Sequence, residues 1–217
     1  MAGVKMELNR VIEIMEREGE KRKAPVLTLK QRLTTPFRTL VSVLISSRTK
    51  DETTSEAADR LFRVADSPSQ LMNLSKDEIE KLIYPVGFYR VKAGKLRELG
   101  EVLAENYNSD VPETFEELIK LPGIGRKSAN VVLAHAFNKP AIGVDTHVHR
   151  ISNRLGLVKT SKPRDTERKL NSIVADKLKA RLNRAFVAFG QSVCKPVKPL
   201  CSQCPLAWEC PKIHVKK

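Results

Sequence analysis

The chain's four cysteines, Cys194, Cys201, Cys204 and Cys210, are separated by six, two and five residues. Cysteines two residues apart can grip one metal centre, and the outer two can close its coordination. Pro196, Pro199 and Pro205 stiffen the intervening segments and disfavour regular helix, as a ligand loop requires. An intracellular protein seldom uses cysteines for disulfides, and the 193 residues before Cys194 contain none, which argues against a disulfide scaffold. Four thiolates suit either tetrahedral zinc or an iron–sulfur cluster. Zinc sites more often use two close pairs; this chain has one, which leans toward the cluster and leaves the choice open.

A second chemical constellation lies upstream. Leu121-Pro122-Gly123-Ile124-Gly125-Arg126-Lys127 reads as a helix end, a tight turn and a new helix continuing through Ser128-Ala129-Asn130-Val131-Val132-Leu133. Gly123 and Gly125 permit backbone angles that other residues avoid and allow a ligand to approach closely. Free N–H groups at the start of the second helix can bind a phosphate oxygen. Lys127 falls in that helix's first turn, beside Arg126. The positive end of the helix dipole and the neighbouring guanidinium both disfavour an ammonium. A lysine helped to lose its proton is a nucleophile that can form a Schiff base. A surface lysine touching phosphate is the equally good local alternative.

Eighteen residues later stands Val144-Asp145-Thr146-His147-Val148-His149-Arg150. Asp145 is placed to cap a helix supported by Val148, Ile151 and Leu155. A carboxylate there can also relay a proton or stabilise positive charge on a reacting sugar. His147 and His149 point to different sides of such a helix, so they read as structural rather than as a ligand pair.

The elements that must carry these groups are helical. Leu8, Val11, Ile12 and Met15 repeat at helical spacing. Thr35-Pro36 starts a helix with Phe37, Leu40, Val41 and Leu44, and Asp51 opens another with Ala57, Ala58, Leu61 and Phe62. Ser75 with Glu78, and Thr114 with Glu117, have capping-box spacing. Val91–Tyr107 reads as a longer helix, and Asp165–Leu178 and Leu182–Val193 as two more. No sustained apolar/polar alternation occurs, so the fold class is all-α. The composition shifts near Asn138-Lys139-Pro140, a plausible domain crossing.

Charge points to a polyanion. The chain has 39 Lys and Arg against 25 Asp and Glu, a formal +14. Residues 146–217 hold 16 of the former and 4 of the latter; residues 1–145 are nearly balanced. Such a basic segment suits nucleic acid first and an anionic membrane surface second. With 41 % hydrophobic residues the chain has enough apolar material for a core, which excludes a disordered chain or a collagen-like repeat. No run approaches the roughly 18 apolar residues of a membrane span, and Met1–Arg10 lacks a secretory signal. The expected setting is intracellular, in cytoplasm or nucleoid.

Together, residues 121–127, Val-Asp-Thr-His at 144–147 and the cysteine spacing resemble the endonuclease III family, helix-hairpin-helix glycosylases of base-excision repair. Gly87-Phe88-Tyr89-Arg90-x-Lys92-Ala93 and Leu44-Ile45-Ser46-Ser47-Arg48-Thr49-Lys50-Asp51 also resemble family segments, and the likeness runs in order from about residue 30 to 212. The resemblance implies a six-helix barrel with the hairpin over 29–139. It implies a second helical domain from 1–28 and 140–217, which would carry a [4Fe–4S] cluster on Cys194, Cys201, Cys204 and Cys210, and damaged double-stranded DNA across the cleft between the two. It implies that Lys127 attacks the sugar of a flipped, damaged pyrimidine nucleotide while Asp145 assists. β-Elimination then breaks the strand 3′ to the lesion. DNA contacts are implied for Gly123, Ile124, Gly125, Arg126, Arg48 and Phe88, with Lys195 and Lys198 presented to phosphate by the cysteine loop. A monomer without organic cofactor is expected.

Two features bear on specificity. Bacterial-type family members carry Gln where this chain has Arg48, in the loop that fills the gap left by the flipped base. Arg can still wedge and hydrogen-bond, and it adds a positive charge, so the preference for the opposing base is open. Phe88 aligns with an apolar residue that wedges into the opposite strand, with simple core packing as its bland alternative. Two other functions remain to be distinguished: a monofunctional glycosylase for thymine or uracil opposite guanine, and a non-enzymatic DNA-binding module with structural zinc.

Overall fold

The computed structural model describes residues 7–27 and 35–215; the expected domain start at residue 29 lies outside them. All regular structure among the described residues is helical. The chain divides into two compact units, one of Thr28–Lys139 and one of Met1–Leu27 with Pro140–Lys217.

In the contiguous unit, α2 (Pro36–Ser46) begins at the expected cap: the Thr35 hydroxyl accepts from Arg38 N. Residues Phe37 and Thr39–Ile45 of α2 are all buried, so it is the unit's central helix. It packs against α3 (Asp51–Phe62), α6 (Tyr89–Asn106) and α8 (Arg126–Ala136). Short α4 (Pro68–Met72) and α5 (Lys76–Ile83) lie against α6. The Ser75–Glu78 capping box forms in full at α5. At α7 (Phe115–Leu118), Thr114 caps Glu117 N, while the Glu117 carboxylate turns to the Tyr107 hydroxyl and Lys120 instead. On α6, Leu96, Leu99 and Leu103 are fully buried. Gly100 allows α6 to approach α4, because an added Cβ would lie 2.7 Å from Met72 N.

The other unit joins α1 (Leu8–Lys21) to α9 (Thr146–Arg154), α10 (Pro163–Ile173) and α11 (Asp176–Ser192). Val11, Ile12 and Met15 of α1 share one core with Val148, Ile151, Leu170, Leu182, Phe186 and Phe189. Gly19 brings α1 close to α11, where an added Cβ would stand 2.8 Å from Ala188 Cβ. The sequence placed the break between the last two helices at 178–182. It falls instead at Val174-Ala175, which are extended without glycine or proline, and Leu178 and Leu182 are one turn apart on α11.

Candidate active site and cysteine pocket

The hairpin forms as the residue types require. After α7 the chain turns through Ile119–Gly125, with Gly123 at φ +78°. That angle needs a glycine, and there is little room besides: an added Cβ would meet Leu44 Cδ1 at 3.1 Å. Gly125 is the N-cap of α8 and supplies no side chain to its first N–H groups. Gly123, Gly125, Arg126 and Lys127 are exposed. Lys127 is the second residue of α8, and Arg126 lies over the Phe115 ring with its guanidinium 4.7 Å from the centroid. Ile124 differs from its neighbours. Its side chain is 5 % exposed and its N–H donates to Leu121 O at 3.1 Å, so it anchors the turn while the glycines present backbone.

Arg48 and Phe88 come together in the same unit. An open pocket of about 280 Å³ is lined by Arg48, Phe88, Val91, Lys92, Lys95 and Gly123, among others. The Arg48 guanidinium lies 5.4 Å from the Phe88 ring centroid. Phe88 is 60 % exposed, which removes the core-packing alternative. Both residues have left-handed backbone, φ 52° and 59°, a conformation that costs a non-glycine residue about 1–2 kcal/mol.

Lys92 is a residue to which the sequence analysis gave no role. It is 6 % exposed, and its Nζ donates to Ile45 O (2.7 Å), Ser47 O (2.5 Å) and Thr49 Oγ1 (3.1 Å). Ile45 O belongs to the last turn of α2, whose carbonyls have no partner within the helix. Burial pushes the Lys92 ammonium down to about 8. A signal for it was present: Lys92 lies on the stripe that continues through Leu96, Leu99 and Leu103.

In the other unit, Asp145 caps α9. Its Oδ1 accepts from His147 N and Val148 N, both at 2.9 Å, which leaves Oδ2 outside the cap. His147 Nδ1 accepts from Arg150, and His149 Nδ1 meets Thr166 Oγ1 at 2.6 Å. Both histidines are thus engaged in side-chain networks within their unit.

The four cysteines border one pocket together with Ile151, Leu155, Phe189, Val193, Leu200 and Leu206. Among the described residues, no three His, Cys, Asp or Glu side chains are grouped to hold a metal ion. Burial raises the Cys204 thiol to about 11 and raises Cys210 as well. Thiolates in this apolar pocket therefore need a neutralising partner. Arg154, 7 % exposed, reaches Cys194 Sγ at 3.3 Å and also donates to Lys195 O (2.7 Å) and Pro196 O (2.9 Å). Arg150 Nη2 donates to Cys194 O at 2.9 Å, and Lys212 N to Cys210 Sγ at 3.4 Å. Buried Arg154 and half-buried Arg150 hold the loop in shape, while Lys195 and Lys198 are exposed on it.

Residues 41–176 match the HhH-GPD superfamily of base excision DNA repair proteins. The chain is 47 % identical to an endonuclease III of Thermotoga maritima over 177 residues, 82 % of this chain and 83 % of that one. The chain belongs to the endonuclease III family. Among solved structures it is similar to a non-covalent endonuclease III–DNA complex, at 32 % identity and TM-score 0.84 over 96 % of both chains. It is also similar to a trapped endonuclease III–DNA covalent intermediate, at 33 % identity and TM-score 0.78, over 90 % of this chain and 96 % of that one. As an endonuclease III-type protein it is a DNA-binding enzyme, a base-excision-repair glycosylase with AP lyase activity. Membership favours this activity over a non-enzymatic zinc module or a monofunctional mismatch glycosylase. Among the described residues, no helix is long and apolar enough to cross a membrane.

Proposed function

We propose that this enzyme removes damaged pyrimidines from double-stranded DNA, with Lys127 as nucleophile and Asp145 as its assistant. The observation that carries the reading is the exposed Lys127 at the second position of a helix whose N-terminus has no side-chain cap, directly after a glycine turn. The exposed turn binds a phosphate of the damaged strand, and the target nucleotide is flipped out of the duplex. The neutral Lys127 amine attacks the sugar's anomeric carbon. The N-glycosidic bond breaks, and the base leaves with the bonding pair and acquires a proton. The amine loses a proton and the sugar ring opens to a protonated Schiff base. That cation acidifies the adjacent sugar hydrogens; loss of one breaks the C3′–O bond, and water then releases Lys127. The carboxylate of Asp145 stabilises the positive sugar and moves protons, a role compatible with a cap that occupies only Oδ1.

The four cysteines would hold a [4Fe–4S] cluster. All four thiols border one apolar pocket, and Arg154 and the Lys212 N–H already donate to sulfur. The cluster would supply order rather than reaction chemistry, fixing a loop that offers Lys195 and Lys198 to phosphate. A broad visible absorption band from sulfur-to-iron charge transfer, with iron in the purified protein, would identify it; a colourless protein holding stoichiometric zinc would overturn the assignment. The protein acts as a monomer where the cell's DNA is.

Borohydride reduction of the Schiff base tests the mechanism. Wild type becomes covalently attached to abasic-site DNA, and Lys127→Ala does not. A wild type that releases base without trapping, leaving an alkali-sensitive site, would be monofunctional. DNA affinity is expected to fall with salt at a slope of about −0.9 per phosphate neutralised. A flat response would contradict the basic phosphate-binding surface.

A further inference from the structure

We propose that Lys92 is a positioning residue for lesion recognition: its ammonium staples the Arg48 loop to the start of α6, so that Arg48 and Phe88 form one preassembled wedge. The inference rests on the glycosylase reading and adds to it a residue that touches neither base nor sugar.

Arg48 and Phe88 lie on different elements, and each has a backbone conformation that it would not hold unaided. The join between them is short and fully accounted for. Past the last turn of α2, Ser46 O accepts from Thr49 N at 3.1 Å, while Lys92 takes Ile45 O and Ser47 O. Thr49 Oγ1 donates to Ser47 O and accepts from both Lys92 Nζ and Gly87 N. All three ammonium protons are thus directed at the segment that carries Arg48. Gly87, next to Phe88, touches the same segment: an added Cβ would stand 2.5 Å from Arg48 O. The stacked guanidinium and ring close the unit on its solvent side.

The charges around the clamp explain why Lys92 is held by neutral groups. Arg48 and Lys95 border the same pocket, and Lys95 is paired with Glu98 on the outer side of α6. The Lys92 ammonium donates to two carbonyls and one hydroxyl. They orient the loop without neutralising the wedge that faces DNA. Removing the ammonium frees a strained loop. It does not remove the nucleophile, which stands on α8.

The test separates flipping from chemistry. Excision of a damaged pyrimidine from duplex DNA needs the wedge; cleavage of a single-stranded oligonucleotide with a preformed abasic site has no gap to fill. Lys92→Met is expected to lower kcat/KM on the duplex at least tenfold, since a 1 Å misplacement can cost about 10²-fold. Single-strand cleavage should stay at the wild-type rate. Fluorescence of 2-aminopurine beside the lesion, which reports unstacking, should fall with the duplex rate. Added to Arg48→Ala, Lys92→Met should cost little more, because the two act as one unit. Equal losses on both substrates, or full additivity with Arg48→Ala, would overturn the proposal. If Lys92→Met does not fold, Gly87→Ala tests the same join with every Lys92 donor in place. It must show the same split between substrates, and equal loss or no loss counts against the clamp. A wild type inactive on both substrates would instead overturn the glycosylase reading, and this inference with it.

Discussion

Lys92 in the hairpin unit and Arg154 in the cysteine unit meet one packing problem with different chemistry. Each is a buried cation that holds a functional loop by donating to backbone oxygens. Lys92 converges three tetrahedral donors on one short segment, Ile45–Thr49, as suits a compact turn. Arg154 spreads a planar fork over Cys194 Sγ, Lys195 O and Pro196 O, as suits an extended, proline-stiffened loop. Burial lets the Lys92 amine lose its proton at accessible pH. The Arg48 loop therefore rests on a clamp that titrates.

The largest effect is expected where the arginine fork is lost. Arg154→Met removes a buried fork and leaves Lys195 O and Pro196 O without that donor, and should destabilise the fold by about 3 kcal/mol. It should also lower the iron retained on purification; chemical denaturation and iron assay measure the two. Lys92→Met takes a single ammonium donor from Ile45 O, Ser47 O and Thr49 Oγ1, and a loss of about 2 kcal/mol is expected, with iron content unchanged. Arg154→Lys keeps the charge but not the fork and should cost about 1 kcal/mol while most iron is retained. Should Arg154→Lys match Arg154→Met, geometry rather than charge carries the cysteine loop.

The finest test uses pH. The folded Lys92 ammonium titrates near 8, against about 10.4 for an unperturbed lysine. Between these values the unfolded chain binds more protons than the folded one, so the Lys92 contribution to stability rises with pH across that window. The stability of wild type relative to Lys92→Met should accordingly increase from pH 8 to about pH 10.4. Denaturant midpoints along a pH series would reveal a flat Lys92 difference, which would contradict the burial-driven shift.

The same contrast separates what was legible in the sequence from what was not. Local chemistry was legible: Thr35-Pro36, Ser75 with Glu78 and Asp145 announce their caps, because capping needs only residues two or three apart. The glycine turn ahead of Lys127 was legible for the same reason. The break at Val174-Ala175 was not, since no helix breaker marks it. Neither clamp was read, although Lys92 lies on a leucine stripe and Arg150 and Arg154 flank Ile151 on α9. Their acceptors lie some forty residues away along the chain, beyond any local pattern. The left-handed backbone of Arg48 and Phe88 likewise depends on contacts with distant residues, such as the approach of Gly87 to Arg48 O.

The split unit has a consequence for how the chain is made. Synthesis delivers α1 first and α11 much later, yet Val11, Ile12 and Met15 find their cover on α11, across the Gly19–Ala188 approach. Until then α1 emerges from the ribosome with a bare apolar stripe. The contiguous unit between them has its own partners already translated and can condense early. Closing α1 onto α11 then means bridging a domain that is already compact rather than a loose coil, which lightens the loop-closure entropy of that late step.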